Sequence, residues 1–138
     1  MAETKYGKYI VRGTKEKVPT DKPGVRTRTL EKEEYGVKPG LNWRYVSAPA
    51  VVIDEAHYHD FDEFLVFTGA DPSNPEEFAA EVEISMGTEG EKNIVNTPGI
   101  VVLPKGTVHG PIKFTKVEKP AIFCNIYLSE KYVRQYKK

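Results

Sequence analysis

From Leu41 onward the chain is cut into short β-forming runs by glycines and prolines, and that punctuation restricts it to folds built from many short strands. Leu41–Val46 and Ala50–His57 read as strands separated by Ala48 and Pro49. Glu63–Thr68 is rich in β-formers and stops at Gly69. In Ala80–Met86, Val82, Ile84 and Met86 alternate with Glu81, Glu83 and Ser85, the pattern of a half-buried strand. Gly87–Gly90 is a turn, and Glu91–Asn96, Ile100–Leu103, Val108–Phe114 and Ala121–Leu128 complete the set. The expected fold class is all-β, a barrel or sandwich. Two helical exceptions are expected. Asn74 followed by Pro75 and two glutamates has the form of a capped helical turn, and the last ten residues form a short C-terminal helix.

Ahead of the barrel, residues 1–40 are charged and rich in Pro and Gly, with strands expected at Tyr6–Arg12 and Val25–Leu30. They read as an N-terminal arm or edge pair packing on a barrel of residues 41–128, and residues 129–138 form a C-terminal tail. The 138 residues suit one domain with a real core. Twenty basic residues balance twenty acidic ones, which removes the electrostatic argument for nucleic acid or an anionic membrane as partner. No apolar run approaches the roughly 18 residues of a membrane span. The start Met-Ala-Glu-Thr-Lys lacks the apolar stretch of a signal peptide, so a cytoplasmic location is expected. Cys124, the single cysteine, lies in an apolar run and is expected to be a buried, inert thiol.

All three histidines fall in two short clusters: His57 and His59, with Glu63 four positions later, and His109 in Pro104-x-Gly106-x-x-His109. Residues i and i+2 of a strand share a face, so His57 and His59 aim together. A turn at residues 60–62 returns the chain to set Glu63 beside them, and His109 closes the site from a distant strand. Three imidazoles and a carboxylate form a mixed N/O donor set. It suits one divalent transition metal per chain (Fe, Mn, Ni, Zn, Co or Cu) and disfavours Ca and Mg, which prefer oxygen shells.

These residues resemble the two motifs of the cupin superfamily. The first is matched by His57-x-His59-x-x-x-Glu63 followed by Gly69, and the second by Gly99 through Pro104-x-Gly106-x-x-His109. The resemblance runs from about Trp43 to Leu128. It implies a cupin-type double-stranded β-helix, a jelly-roll barrel, with His57, His59, Glu63 and His109 as metal ligands and often a homodimer. Val51 stands where the first motif begins with Gly, and Lys113 stands where the second ends with Asn. The stretch from Gly69 to Gly99 is long for the family, which marks residues 70–98 as the place of an insertion, with the Asp71–Ala79 loop expected to cover the barrel mouth.

Same-face arithmetic sets Glu55 beside His57 and Lys113 inward from His109. Glu55 is thus a candidate base or a support for a ligand imidazole, and Lys113 a candidate partner for an anionic substrate. Trp43 and Tyr45 alternate with Asn42 and Arg44, and the aromatics are expected in the core. The expected function is that of a metal-dependent enzyme on a small polar or aromatic molecule, of dioxygenase, isomerase or lyase type. The alternatives are a non-catalytic small-molecule or metal-sensing cupin and a cupin whose metal is purely structural.

Overall fold

The computed structural model describes residues 4–13, 15–16, 22–29, 39–129 and 133–136. Among these described residues, ten antiparallel strands form two sheets. They are β1 (Lys15–Glu16), β2 (Val25–Thr29), β3 (Gly40–Val46), β4 (Ala50–Ile53), β5 (Glu63–Gly69), β6 (Ala80–Met86), β7 (Glu91–Val95), β8 (Gly99–Leu103), β9 (His109–Val117) and β10 (Ala121–Tyr127). The larger sheet runs β1-β2-β3-β10-β5-β8 and the smaller β4-β9-β6-β7, the two faces of an all-β jelly-roll barrel.

Register explains how one barrel holds both an apolar core and a polar centre. In β5 the inward residues are Glu63, Leu65 and Phe67; in β10 they are Phe123, Asn125 and Tyr127. The pairing Phe67↔Phe123, Leu65↔Asn125 and Glu63↔Tyr127 runs from an aromatic pair at one end to polar groups at the other. At the apolar end the Phe67 and Phe123 rings stack at 4.8 Å, with Phe114 at 6.1 and 6.3 Å from them. Ile112, Val82, Ile84 and Val46 fill the space around these rings. At the other end the inward positions are polar: Glu63, Asn125, Asn42 and His109 are buried.

Several local expectations change. Tyr6–Arg12 is not a strand. Gly7–Tyr9 is a 3-10 turn closed by Tyr9 N–H to Tyr6 O and Ile10 N–H to Gly7 O, and its Tyr6, Tyr9 and Ile10 side chains are exposed. Val25–Leu30 appears as β2 through Thr29, and Leu30 lies outside the described residues. Ala50–His57 is not one continuous strand: β4 ends at Ile53 after a register shift, and His57 returns as an isolated bridge to His109.

The helical turn at Asn74 is replaced by two successive turns, Asn74 N–H to Asp71 O and Glu77 N–H to Asn74 O. Asp71 is the organising side chain, its carboxylate accepting from Ser73 N–H and Ser73 Oγ–H, which diverts the backbone from a helix. Residues 70–79 close the apolar end, where Phe78 meets Phe67 edge-on at 6.3 Å. That end lies about 20 Å along β5 from Glu63, so this part of the long stretch does not cover the histidine end.

Among the described residues the C-terminal helix is not seen either. Residues 133–136 are extended, and Gln135 exchanges both backbone hydrogen bonds with Tyr58 at 2.7 Å. Long-range pairing takes the backbone groups that a helix would have used internally.

Phe123→Ala removes the ring at the centre of the aromatic stack. It is expected to cost about 3–5 kcal/mol of folding free energy, read as a lowered urea midpoint with an unchanged slope. A loss of under about 1 kcal/mol would contradict the assigned core.

Candidate metal centre

His57 and His109 exchange both backbone hydrogen bonds, N–H to O at 2.9 Å each way, which docks the two histidine clusters onto each other. His59 O accepts from Gly106 N–H at 2.9 Å, and Asp62 accepts from Lys105 N–H at 2.8 Å, tying the two motif loops together. Gly110, with φ of +104°, lies so close to the 55–56 backbone that a Cβ there would stand 2.5 Å from Glu55 O. The glycine after His109 is therefore required for this approach.

The three rings share a direction. His57 Nδ1 donates to Glu55 O (2.8 Å), His59 Nδ1 to Val133 O (2.5 Å) and His109 Nδ1 to Thr107 O (3.0 Å). A carbonyl only accepts, so each Nδ1 carries the proton and each Nε2 of a neutral ring presents a lone pair. The ligand atoms of the three rings lie within 4.8 Å of one another, an arrangement able to hold a metal ion. The buried His57 Nε2 has no hydrogen-bond partner. A lone pair left so in a native interior is costly unless something binds it, and this fits a metal.

Glu63 lies beside two of these rings. Its Oε1 lies 3.3 Å from His109 Nε2 and 3.5 Å from His59 Nε2, and its Oε2 accepts from Asn125 Nδ2 at 3.2 Å. Burial pushes this carboxyl up, but the contact with His109 and the Asn125 hydrogen bond outweigh it and hold the group below the usual carboxylate range. Burial lowers His57 to about 4, against the opposing hydrogen bond to Glu55 O. Burial lowers His59 in the same way. Neutral imidazoles beside an ionised carboxylate are the forms that coordinate a metal. Phe61 stacks on His59 at 4.5 Å and shields that side.

The four expected ligands thus come together, but the two expected helpers do not join them. Glu55 contributes its main-chain carbonyl to His57, while its side chain is exposed. Lys113 is exposed between the fully buried Ile112 and Phe114, so it faces outward. The irregular pairing of β9 between Ile84 and Met86 of β6 breaks the two-residue count from His109 and reverses the expected face. On β3 the expected alternation is inverted too. Asn42 and Arg44 point inward, while Tyr45 is exposed and accepts Trp43 Nε1–H at 3.0 Å. Two supporting residues were missed, Asn125 and Arg44. Arg44 Nη1 donates to Asn125 Oδ1 at 2.5 Å and to Asn42 Oδ1 at 3.2 Å. An Asn inside an apolar run was the signal for the first. Cys124, on the half-buried outer side of β10, has its thiol pushed up by burial.

The lowered histidines fix a pH response for the metal-free protein. Unfolded His57 and His59 take up protons near pH 6.5, whereas the folded rings resist. Stability is therefore fully present above pH 6.5 and is lost as the pH falls through about 4. His57 alone accounts for about 3 kcal/mol. Urea midpoints measured from pH 7 down to 4 are expected to fall steadily, and a flat profile down to pH 5 would contradict the burial of these rings.

No protein-family model matches the sequence, and no curated protein matches it. Solved structures do resemble it. The polyketide cyclase RemF from Streptomyces resistomycificus is similar at TM-score 0.58 with 12% identity, over 91% of this chain and 81% of that one. A recombinant oxalate oxidase in complex with glycolate gives 0.58 and 15%, over 86% of this chain and 58% of that one. Oxalate decarboxylase from Bacillus subtilis, studied for its Mn(II) centres, gives 0.56 and 15%, over 87% of this chain but 28% of that one. The chain thus spans little more than half of the oxidase and under a third of the decarboxylase. Together with the two-sheet barrel, these likenesses give the chain the cupin fold.

Proposed function

We propose that the protein binds one divalent transition metal through His57, His59, Glu63 and His109 and uses it to act on a small polar or aromatic molecule. The observation that carries this reading is the common orientation of three buried imidazoles, each pinned at Nδ1 by a backbone carbonyl. Three nitrogens and one carboxylate suit Fe, Mn, Ni, Co, Zn or Cu. The Mn(II) centres of the similar decarboxylase and the glycolate held by the similar oxidase support both parts. A metal here would supply Lewis acidity toward a substrate oxygen, with dioxygenase, isomerase and lyase chemistry all open to it.

The chain's own residues supply the rest. Backbone carbonyls hold the ring tautomers. Asn125 fixes the plane of the Glu63 carboxylate and Arg44 fixes Asn125, so the donor set is preorganised before any ligand arrives. Phe61 and Tyr127 limit water on one flank. We further propose a homodimer formed through the outer face of the larger sheet, where Tyr45, Ile100 and Val102 are exposed.

Elemental analysis of the purified protein is expected to find about one transition-metal ion per chain, with His59→Ala losing at least tenfold in affinity. Unchanged metal content in that variant, or no metal bound on titration, would sink the proposal. Oxygen-uptake and absorbance screens over catechols, keto acids and hydroxy acids then separate the reaction types. Tight ligand binding without turnover would favour a sensor or carrier. Light scattering is expected to give the dimer mass, and a monomer that stays monomeric with metal bound would remove the interface.

A further inference from the structure

Each of the four candidate donors is closed off from solvent: His57 and Glu63 are 1% exposed, and His59 and His109 are 2% exposed. A metal ion or a small molecule therefore reaches them only after some part of their cover moves. Most of that cover is firmly fastened. The turn that carries Phe61 onto His59 is tied by Gly106 N–H to His59 O, by Lys105 N–H to the Asp62 carboxylate and by Leu128 N–H to Asp62 O. Tyr127, next to Phe61, belongs to β10, which is laddered to β3 on one side and to β5 on the other.

Residues 133–136 lie against the same cluster but are held differently. Val133 O accepts from His59 Nδ1 at 2.5 Å, Gln135 pairs with Tyr58, between His57 and His59, and the Tyr136 ring lies 6.3 Å from the His57 ring. The Tyr58–Gln135 pairing is an isolated bridge outside the strand ladders. Val133 and Tyr136 keep about half of their surface in solvent, 49% and 52%. Little apolar burial thus holds the segment down. Segments with little buried apolar surface open locally at free energies well below that of global unfolding. Opening this one also withdraws the carbonyl that fixes the His59 tautomer, so the segment covers the cluster and positions a ring of it at once.

We propose that residues 133–136 are a strap that gates the histidine cluster. Closed, the strap seals the cluster and fixes His59; released at the Tyr58–Gln135 bridge, it admits a metal ion or a small molecule. The proposal rests on the functional reading above for what enters, and adds the route by which it does so. Gating has its own kinetic mark. A contact that only positions His59 alters how long a metal stays, whereas a cover controls entry and release alike.

The test uses two variants of the full chain. Tyr58 and Gln135 stand directly opposite each other in the bridge. In the double variant Tyr58→Cys with Gln135→Cys, an oxidised pair locks the strap and a phosphine reductant frees it, so the variant is its own control. Gln135→Pro deletes the N–H that donates to Tyr58 O and loosens the strap. Three rates are read: Zn(II) association, Zn(II) release to a chelator, and modification of the histidines by diethyl pyrocarbonate in metal-free protein, followed by peptide mass spectrometry. Oxidation of the cysteine pair is expected to slow all three about tenfold or more, and Gln135→Pro to raise all three about tenfold. Equal rates in the oxidised and reduced pair would overturn the proposal. So would a Gln135→Pro variant in which release quickens while association and histidine modification stay at wild-type rates. Histidine modification that follows the strap in a protein taking up no Zn(II) removes the metal reading and leaves the gate standing. Zn(II) uptake indifferent to the strap does the reverse.

Discussion

The burial of the Glu63 carboxylate is the constraint around which the polar end of this barrel is organised. A carboxylate moved out of water costs several kcal/mol unless its oxygens are met by donors or positive charge. Here Oε2 takes the Asn125 amide, and Oε1 lies with the Nε2 lone pairs of two imidazoles at a point that a metal cation would satisfy. Each of those neighbours needs its own support. Asn125 is oriented by Arg44, His59 by Val133 and His109 by Thr107. The chain of requirements reaches from strand β5 to the C-terminal segment, and it explains why residues far apart in sequence converge at one end of the barrel.

The apolar end performs a different task. Phe67, Phe114 and Phe123 come from three strands and lock the two sheets together. Close-packed rings transmit little slack. The register they impose on β5 and β10 is what sets Glu63 and Asn125 inward toward the opposite end, four and two residues along their respective strands. Core packing and donor-set geometry are thus linked through strand periodicity rather than through direct contact.

Much of this was legible along the chain. The strand runs from Leu41 onward depend on local alternation and on Gly and Pro turns, and β6 matches its expected bounds. The gathering of the three histidines with Glu63 was legible because histidines are few and their spacing is short. What failed was counting across irregularities. Lys113 was placed inward by an unbroken two-residue period, and the shifted pairing between β9 and β6 moved it out. Trp43 and Tyr45 are expected in the core on hydropathy, yet the inward face of β3 belongs to Asn42 and Arg44, which bond to each other and, through Arg44, to Asn125 on β10. The C-terminal helix failed because Tyr58 and His59, more than seventy residues away, engage the backbone of residues 133–135.

By itself, then, the sequence determined the β character of the chain and the positions of its turns and marked out His57, His59, Glu63 and His109 as candidate donors, since all three follow from local composition and spacing. The tertiary structure alone decided which nitrogen of each histidine faces the site, which side of each strand near a bulge looks inward, and that residues 133–135 lie against the histidine cluster. Those outcomes depend on hydrogen-bond partners and register set by distant segments, and no local pattern encodes a partner that lies most of the chain away.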